Sequence, residues 1–336
     1  MNPACVAIGD EVWMFYRAVD QDNISTIGFC RLKDNVLIER SDQPIMVPEH
    51  DYEKAGLEDP RITYLDGIYY LFYTAYDGKN AQIAYATTKN LPFFEKKGLL
   101  VPRITYEKAG KLFASTNLTL RYKAFEERYQ QSHGERILLW EKDALLFPEK
   151  IGGKFALCHR VLPGIQIAYF DSFLDLTEKF WEDQLANLDK YTLLEPKYWY
   201  DNWNLGGGCP PIKTSDGWLL IYHTVEQASS GRIYRASAAL LDLNNPLKVI
   251  GRLNNPLFSP TRSYEKNGVV DNVVFPTSAL LKNGKVIIYH GAADRIIAAK
   301  TISLASLLET LNDKSLLVPL DSFVLSETIN PANGVE

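Results

Sequence analysis

The chain has 336 residues, 36 Lys and Arg against 41 Asp and Glu, and a formal net charge of −5. Hydrophobic residues make up 46% and charged residues 23%, a balance that excludes a disordered chain. An acidic pI of about 5.7 with no sustained basic stretch argues against nucleic-acid binding, and no apolar run approaches the roughly 20 residues needed to cross a bilayer.

The segment Met1-Asn2-Pro3-Ala4-Cys5 carries neither the basic nor the apolar region of a signal peptide. Cys5, Cys30, Cys158 and Cys209 stand far apart with no CxxC pair, so they read as small buried residues of a reducing compartment. The cytoplasm is the default expectation.

Along the chain, short β-branched and aromatic runs bounded by Gly, Asp and Asn recur, and long helical periodicity is scarce. Five of these runs align: Asp10–Arg17, Gly67–Thr74, Gly153–His159, Gly217–His223 and Gly284–His290. Upstream of each lies a proline element, at Pro3, Pro60, Pro148, Pro211 and Pro276, and downstream a third strand, at Ser25–Arg31, Ala81–Thr87, Gly164–Tyr169, Arg232–Leu241 and Arg295–Ile302. Proline is tolerated at a strand's edge or start, where its missing N–H costs no ladder bond, and the innermost strand of a propeller blade is such an edge. The pattern predicts an all-β, five-bladed β-propeller forming one domain over residues 1–336. A β-sandwich with aromatic strands is the weaker alternative.

Two segments depart from the repeat. Residues 92–146 form an oversized insertion in which Thr119–Tyr129 is expected to hold a short helix or a lid-like loop. Residues 177–204 form a long connection ending in Tyr198-Trp199-Tyr200-Asp201-Asn202-Trp203, whose aromatics suit either stacking on sugar rings or packing the loop onto the blades. Residues 316–325 read as a last strand closing the ring.

Polar residues at the inner strand ends converge on a channel mouth in this scheme: Asn2, Arg17, Glu58, Asp59, Arg61, Lys150, His159, Arg160, His223, Asn272, His290 and Asp294. Three histidines, His159, His223 and His290, occupy one repeat position, which repeat ancestry alone could also produce. No HExxH, EF-hand loop or Cys/His cluster supports a metal. Gly206-Gly207-Gly208 lacks the lysine of a P-loop and reads as a place where backbone is closely approached. Asp59 is the prominent acid, Asp294 a second candidate, and most of the rest of the set is basic: Arg17, Arg61, Lys150, Arg160 and the histidines. Most glycosidases need two carboxylates, whereas a lone acid facing a basic cluster suits an anion, and an anionic nucleophile such as phosphate needs no protein base.

Gly56-Leu57-Glu58-Asp59-Pro60-Arg61, Tyr73–Gly78, Leu146–Ile151, Cys158-His159-Arg160, Pro210–Thr214 with Gly217–His223, and Val273–Pro276 with Gly291–Asp294 together resemble the signature of glycoside hydrolase family 130, from Asn2 to about Ala299. The resemblance implies a five-bladed propeller. It also implies inverting phosphorolysis of β-mannosides to α-mannose 1-phosphate, with manno-oligosaccharide and inorganic phosphate as substrates and no cofactor. It makes Asp59 the general acid, acting through the 3-hydroxyl of the mannosyl unit. Lys150, His159, Arg160, His223 and Tyr234 would bind phosphate; Asn2, Arg17, Glu58, Arg61 and Asp294 would bind the mannoside. An arginine from the insertion, Arg128 or Arg136, would join them. Gln82 stands where members often carry Arg, Ser278 where Gly is common, and members usually have several dozen residues before the Asn-Pro motif. Two alternatives stand beside this reading: an inverting β-mannosidase that uses water, and a non-catalytic sugar-binding propeller. No nucleic-acid or membrane partner is expected. Propellers often self-associate, but no interface patch stands out.

Overall fold

The computed structural model describes residues 1–114, 116–118, 120–134 and 136–313, and the backbone of a strand at 325–329. Strands dominate it. β1 (Pro3–Ile8), β2 (Glu11–Val19), β3 (Ser25–Lys33) and β4 (Val36–Arg40) form an antiparallel meander. β5 (Gly56–Leu65), β6 (Ile68–Tyr76), β7 (Ala81–Thr88) and β8 (Glu95–Leu99) form a second, joined to the first by one parallel pairing of Ser25 with Gly56. Helices α1 (Tyr106–Phe113) and α2 (Leu120–His133) follow. β9 (Lys142–Leu146), β10 (Phe155–Arg160) and β11 (Ile165–Phe170) lead through α3 (Glu178–Ala186) and α4 (Leu188–Tyr191) to β12 (Thr192–Leu194), which returns to pair with β11. β13 (Asn204–Gly207), β14 (Ile212–Lys213), β15 (Trp218–Ala228), β16 (Gly231–Leu241) and β17 (Val249–Arg252) make the next sheet. After α5 (Ser263–Lys266) come β18 (Val274–Lys282), β19 (Lys285–Ala292) and β20 (Ile296–Ser303), then α6 (Leu304–Asn312) and β21 (Leu325–Ile329), which pairs with β20.

The central strands are buried along most of their length because each sheet is covered on both faces by its neighbours. Ala4, Phe15, Ile27 and Phe29 of the first meander pack on Leu57, Ile62, Leu71 and Tyr73 of the second. Tyr70, Phe72 and Ile83 then meet Leu146, Leu157 and Phe170; Leu145, Cys158 and Ile167 meet Trp218, Leu220 and Tyr222; and Leu219, Ile221 and Ala238 meet Val274, Val286 and Ile288. The last sheet packs back on the first, Tyr289, Ile297 and Ala299 against Met14, Tyr16 and Cys30. Burying a large apolar side chain contributes roughly 1.5–3 kcal/mol, so these five cores supply most of the stabilisation.

The second and third strands expected in each repeat are present, as β2, β6, β10, β15 and β19 and as β3, β7, β11, β16 and β20. The proline element behaves differently in two repeats. Pro3 begins β1, and Pro60 and Pro276 sit at bulges in β5 and β18, positions where a missing N–H is tolerated. Pro148, however, lies beyond the end of β9, and Pro210-Pro211 fall between β13 and β14. A sequence signal accompanies this shift: proline precedes the aligned aromatic by thirteen residues in three repeats, but the corresponding offsets are ten and eleven at Pro148 and Pro211.

The insertion carries β8 and the two helices. Thr105 caps α1, its side chain accepting from the Lys108 N–H. Helix α2 is longer than the expected short helix and is polar, burying Tyr122 and Phe125. With α3 and α4 the two helices form a separate layer over Val161, built on Ile104, Phe113, Tyr122, Ile137, Leu185 and Leu188. The closing strand expected at 316–325 lies, apart from Leu325, outside the described residues. No helix among the described residues is long and apolar enough to cross a membrane.

Candidate active site

Two bulges aim the key carboxylates. In β5, Glu58 pairs with Thr74 and Arg61 with Phe72, so Asp59 and Pro60 together oppose Tyr73 alone. In β9, Lys142 pairs with Arg160 and Leu145 with Cys158, so Asp143 and Ala144 oppose His159 alone. A bulge forces one residue out of the pleat, and both Asp59 and Asp143 adopt left-handed backbone, with φ of 51° and 61°. Asp tolerates this conformation better than most residues, and such strain gathers at functional sites.

Both side chains line a cavity of about 570 Å³, together with Asn2, Arg17, Glu58, Lys142, Arg160, His223, Tyr234 and Asp294. Phe125, Arg128, Tyr129, Ser132 and His133 of α2 form one wall, and Trp203 and Phe275 another. The α2 wall is fastened to the 199–203 loop through Trp203, whose ring is 5.1 Å from that of Phe125 and 4.6 Å from the Arg128 guanidinium.

Asp59 accepts a hydrogen bond of 2.6 Å from the Asn2 amide and lies 4.0 Å from Arg17. Burial pushes its carboxyl up, but the charges of Arg17, Arg61 and Lys142 and the Asn2 amide outweigh it, so Asp59 sits below its ordinary value. Glu58 is paired on one side with Arg17 at 2.9 Å and on the other with Lys142 at 3.6 Å. Arg61 lies beneath the cavity, 1% exposed, and does not line it. It donates to the Asp59, Gly207 and Gly208 carbonyls and pairs with Asp143 at 3.0 Å, joining the two bulges. Asp143 also pairs with Arg160 at 2.7 Å and faces His223 at 3.9 Å. Burial pushes Asp143 up, yet Arg160, Arg61 and His223 hold it at about 2. His223 is driven down to about 4, chiefly by burial, and is neutral at neutral pH.

The repeated histidines share a feature that repeat position alone did not reveal: each faces a buried carboxylate. His159 meets Glu141 at 2.6 Å, His290 meets Glu265 at 3.4 Å, and His223 meets Asp143. Only His223 of the three lines the cavity; His159 is fully buried against Glu141 and Trp181, so it anchors β9 to β10 from behind. His290 is likewise buried, in a cluster with Glu265 and Lys300.

Lys150 is not brought to the cavity. It pairs with Asp66 at 3.2 Å and lies over the Phe155 ring. Asp66 follows the far end of β5, so at about 3.3 Å per residue Lys150 sits on the order of 20 Å from Asp59. Alignment on Pro148, which lies past the end of β9, moved the expected lysine by more than a strand's length. Counting back from the aligned aromatic or cysteine singles out the lysine that lines the cavity: Asp59 is fourteen residues before Tyr73, Asp143 fifteen before Cys158, and Lys142 precedes Asp143 as Glu58 precedes Asp59. Of the two insertion arginines, Arg128 lines the cavity and Arg136 does not. Among the described residues, no group of three or more His, Cys, Asp or Glu is arranged to hold a metal ion.

A family model described as β-1,4-mannooligosaccharide phosphorylase matches residues 1–313. The 1,2-β-oligomannan phosphorylase of Thermoanaerobacter sp. (strain X514) is 34% identical over 313 residues, covering 90% of this chain and 89% of the relative. The β-1,2-mannobiose phosphorylase of the same organism is 32% identical over 317 residues, with the same coverage of 90% and 89%. In fold the chain resembles the β-1,2-mannobiose phosphorylase of Listeria innocua solved with β-1,2-mannobiose, with a TM-score of 0.68, 24% identity, and coverage of 92% of this chain and 91% of that one. A family match over nearly the whole chain and relatives above 30% identity agree: the protein belongs to glycoside hydrolase family 130.

Proposed function

We propose that the protein phosphorolyses β-mannosides with inversion, releasing α-mannose 1-phosphate, and that its sheets form the five blades of one propeller domain with the helical insertion at its mouth. Five hydrophobic cores, each between neighbouring antiparallel units and the last returning to the first, support the propeller reading.

The observation that carries the function is the pairing of the carboxylates around Asp59. Glu58 is held by Arg17 and Lys142, and Asp143 by Arg61 and Arg160. Held at about 2 by two guanidinium groups, Asp143 is a poor base, and Glu58 is engaged by cations on both sides, an arrangement that does not favour either as the group activating water. The cations are suited to an anionic nucleophile instead. In this reading Lys142, Arg160, His223 and Tyr234 bind inorganic phosphate, and Asn2, Arg17, Glu58 and Asp294 hold the mannosyl unit. Asp59 delivers the proton to the glycosidic oxygen by way of the sugar's 3-hydroxyl. Asp59 is ionised in the empty site; a bound phosphate dianion offsets the surrounding cations and lets the carboxyl take up the proton it must give. Phosphate is a co-substrate, and the chemistry calls for no cofactor.

Names of relatives support a β-1,2 or β-1,4 linkage. Four unpaired, buried thiols support a reducing compartment such as the cytoplasm. The test is incubation with β-1,2- and β-1,4-mannobiose, with and without inorganic phosphate, assaying mannose 1-phosphate and free mannose. Mannose 1-phosphate that forms only with phosphate is the expected result. Free mannose at equal rates in both buffers would mean a hydrolase, and no product despite sugar binding would mean a binding protein.

A further inference from the structure

Of the four carboxylates that line the cavity, the phosphate-binding reading leaves one, Asp143, without a task. Asp143 is 2% exposed, lies at a strained bulge, and carries a negative charge into a site built for an anion. On charge alone it should weaken phosphate binding. Its contacts supply a reason for it to be there. One oxygen takes Arg61 at 3.0 Å, and the other takes Arg160 at 2.7 Å and faces the His223 ring at 3.9 Å. The Arg160 guanidinium also stands 3.5 Å from His223 Nε2.

The backbone has been shaped around this cluster. A Cβ on Gly206 would come within 2.5 Å of both the Asp143 carboxylate and His223 Cε1, and one on Gly207 within 2.6 Å of the Asp143 carbonyl. Real Cβ atoms do not approach so closely, so the glycine run exists where Asp143 and His223 press onto β13. Arg61 closes the far side through the Gly207 and Gly208 carbonyls. Meanwhile Arg160 Nε and His223 Nδ1 are buried without a hydrogen-bond partner among the described residues. Buried donors left unsatisfied are costly, and a bound anion is the group that would satisfy them.

We propose that Asp143 is the positioning residue of the phosphate subsite, fixing the Arg160 guanidinium and the His223 ring so that their free nitrogens meet the incoming anion. The proposal rests on the phosphorolysis reading above. Asp143 does not touch the reacting atoms; it acts through Arg160 and His223, and Gly206 provides the space in which the three meet.

The sign of the effect separates this role from a plain counter-charge. Asp143→Asn removes one negative charge beside the anion site, so electrostatics alone would tighten phosphate binding. Loss of positioning would weaken it. The experiment measures inorganic phosphate binding by calorimetry and the KM values for phosphate and mannobiose, in the wild type, Asp143→Asn and Gly206→Ala. The proposal expects Asp143→Asn to raise the phosphate KM by about 10- to 100-fold, the scale on which misplacement of a binding group acts. The mannobiose KM should stay within about two-fold, a split that general loosening of the fold would not give. Gly206→Ala keeps every charge but drives Asp143 and His223 apart, and should weaken phosphate in the same direction; it decides the matter should Asp143→Asn not fold. Phosphate bound equally or more tightly by a folded Asp143→Asn overturns the proposal and leaves the phosphorylase reading intact. A wild type that neither binds phosphate nor makes mannose 1-phosphate overturns both.

Discussion

Asp59 and Asp143 hold the same left-handed backbone conformation, φ 51° and 61°, each at a bulge in the first strand of its antiparallel unit, and Arg61 ties one to the other. The same local device thus serves two ends. At Asp59 it presents a carboxylate with an amide and a distant arginine as partners, and at Asp143 it buries one between two guanidinium groups. Neighbouring charges, not backbone, separate their roles.

Asp59→Asn should lower kcat/KM by about 10²- to 10⁴-fold, the usual contribution of a general acid, while the melting temperature changes little. Phosphorolysis assays beside thermal melts check this. Near-wild-type turnover would remove Asp59 from its role.

Lys142→Ala and Lys150→Ala should part company. Lys142 lines the cavity and pairs with Glu58, so its loss should raise the phosphate KM by about tenfold or more, since each 1.4 kcal/mol of lost binding is one decade. Lys150 forms an exposed pair with Asp66, worth at most about 1 kcal/mol, so its loss should leave both KM values unchanged. Initial rates at varied phosphate decide between them.

Arg128→Ala and Arg136→Ala make a similar pair for the insertion. Arg128 rests on the Trp203 ring at the cavity wall, and an exposed cation–π contact is worth roughly 0.5–1 kcal/mol, so stability should barely move. The KM for mannobiose or phosphate should rise with Arg128→Ala alone. Equal kinetics for the two variants would remove Arg128 from the site.

Acid stability should report the buried cluster behind the cavity. Burial pushes Glu265 up, but His290, Lys300 and the Arg262 and Thr261 amides hold it at about 2 against an ordinary 4.5. A depressed carboxylate contributes stability that is fully present above its unfolded pKa and lost as pH falls through the folded one. Glu265 should therefore supply about 3 kcal/mol at neutral pH, lost between about pH 4.5 and 2. Glu265→Gln should remove that part of the acid dependence. It should also destabilise the protein by about 3–5 kcal/mol at pH 7, because Lys300 is then buried without its partner. Urea unfolding at a series of pH values measures both.

Much of the architecture was legible because it is written locally. A turn followed by alternating apolar and aromatic residues specifies a hairpin wherever it occurs, so Ser25–Arg31 and Arg232–Leu241 could be read within a residue or two of β3 and β16. Asp59 was singled out as the prominent acid of an inner strand, and the structure places it on the cavity. The helical layer was less legible: α2 buries only Tyr122 and Phe125, and a polar helix held by a few contacts leaves little periodicity to read.

What the chain alone determined, then, is the set of strands and the placing of an acid, Asp59, in the first strand of the second unit, because these follow from short-range patterns; the expected basic surroundings were only partly met, since Glu58, Asp143 and Asp294 line the same cavity. Which cations reach the acid was decided only by the tertiary structure. Lys142 and Lys150 are eight residues apart, the first opening the short strand β9 and the second lying past its end, so that one reaches the cavity and the other Asp66. His159 and His223 occupy one repeat position, yet the first is sealed against Glu141 and Trp181 while the second opens on the cavity. Side chains brought together from different sheets have no signature in any one stretch of sequence. Their burial and charge environment exist only once the sheets have packed.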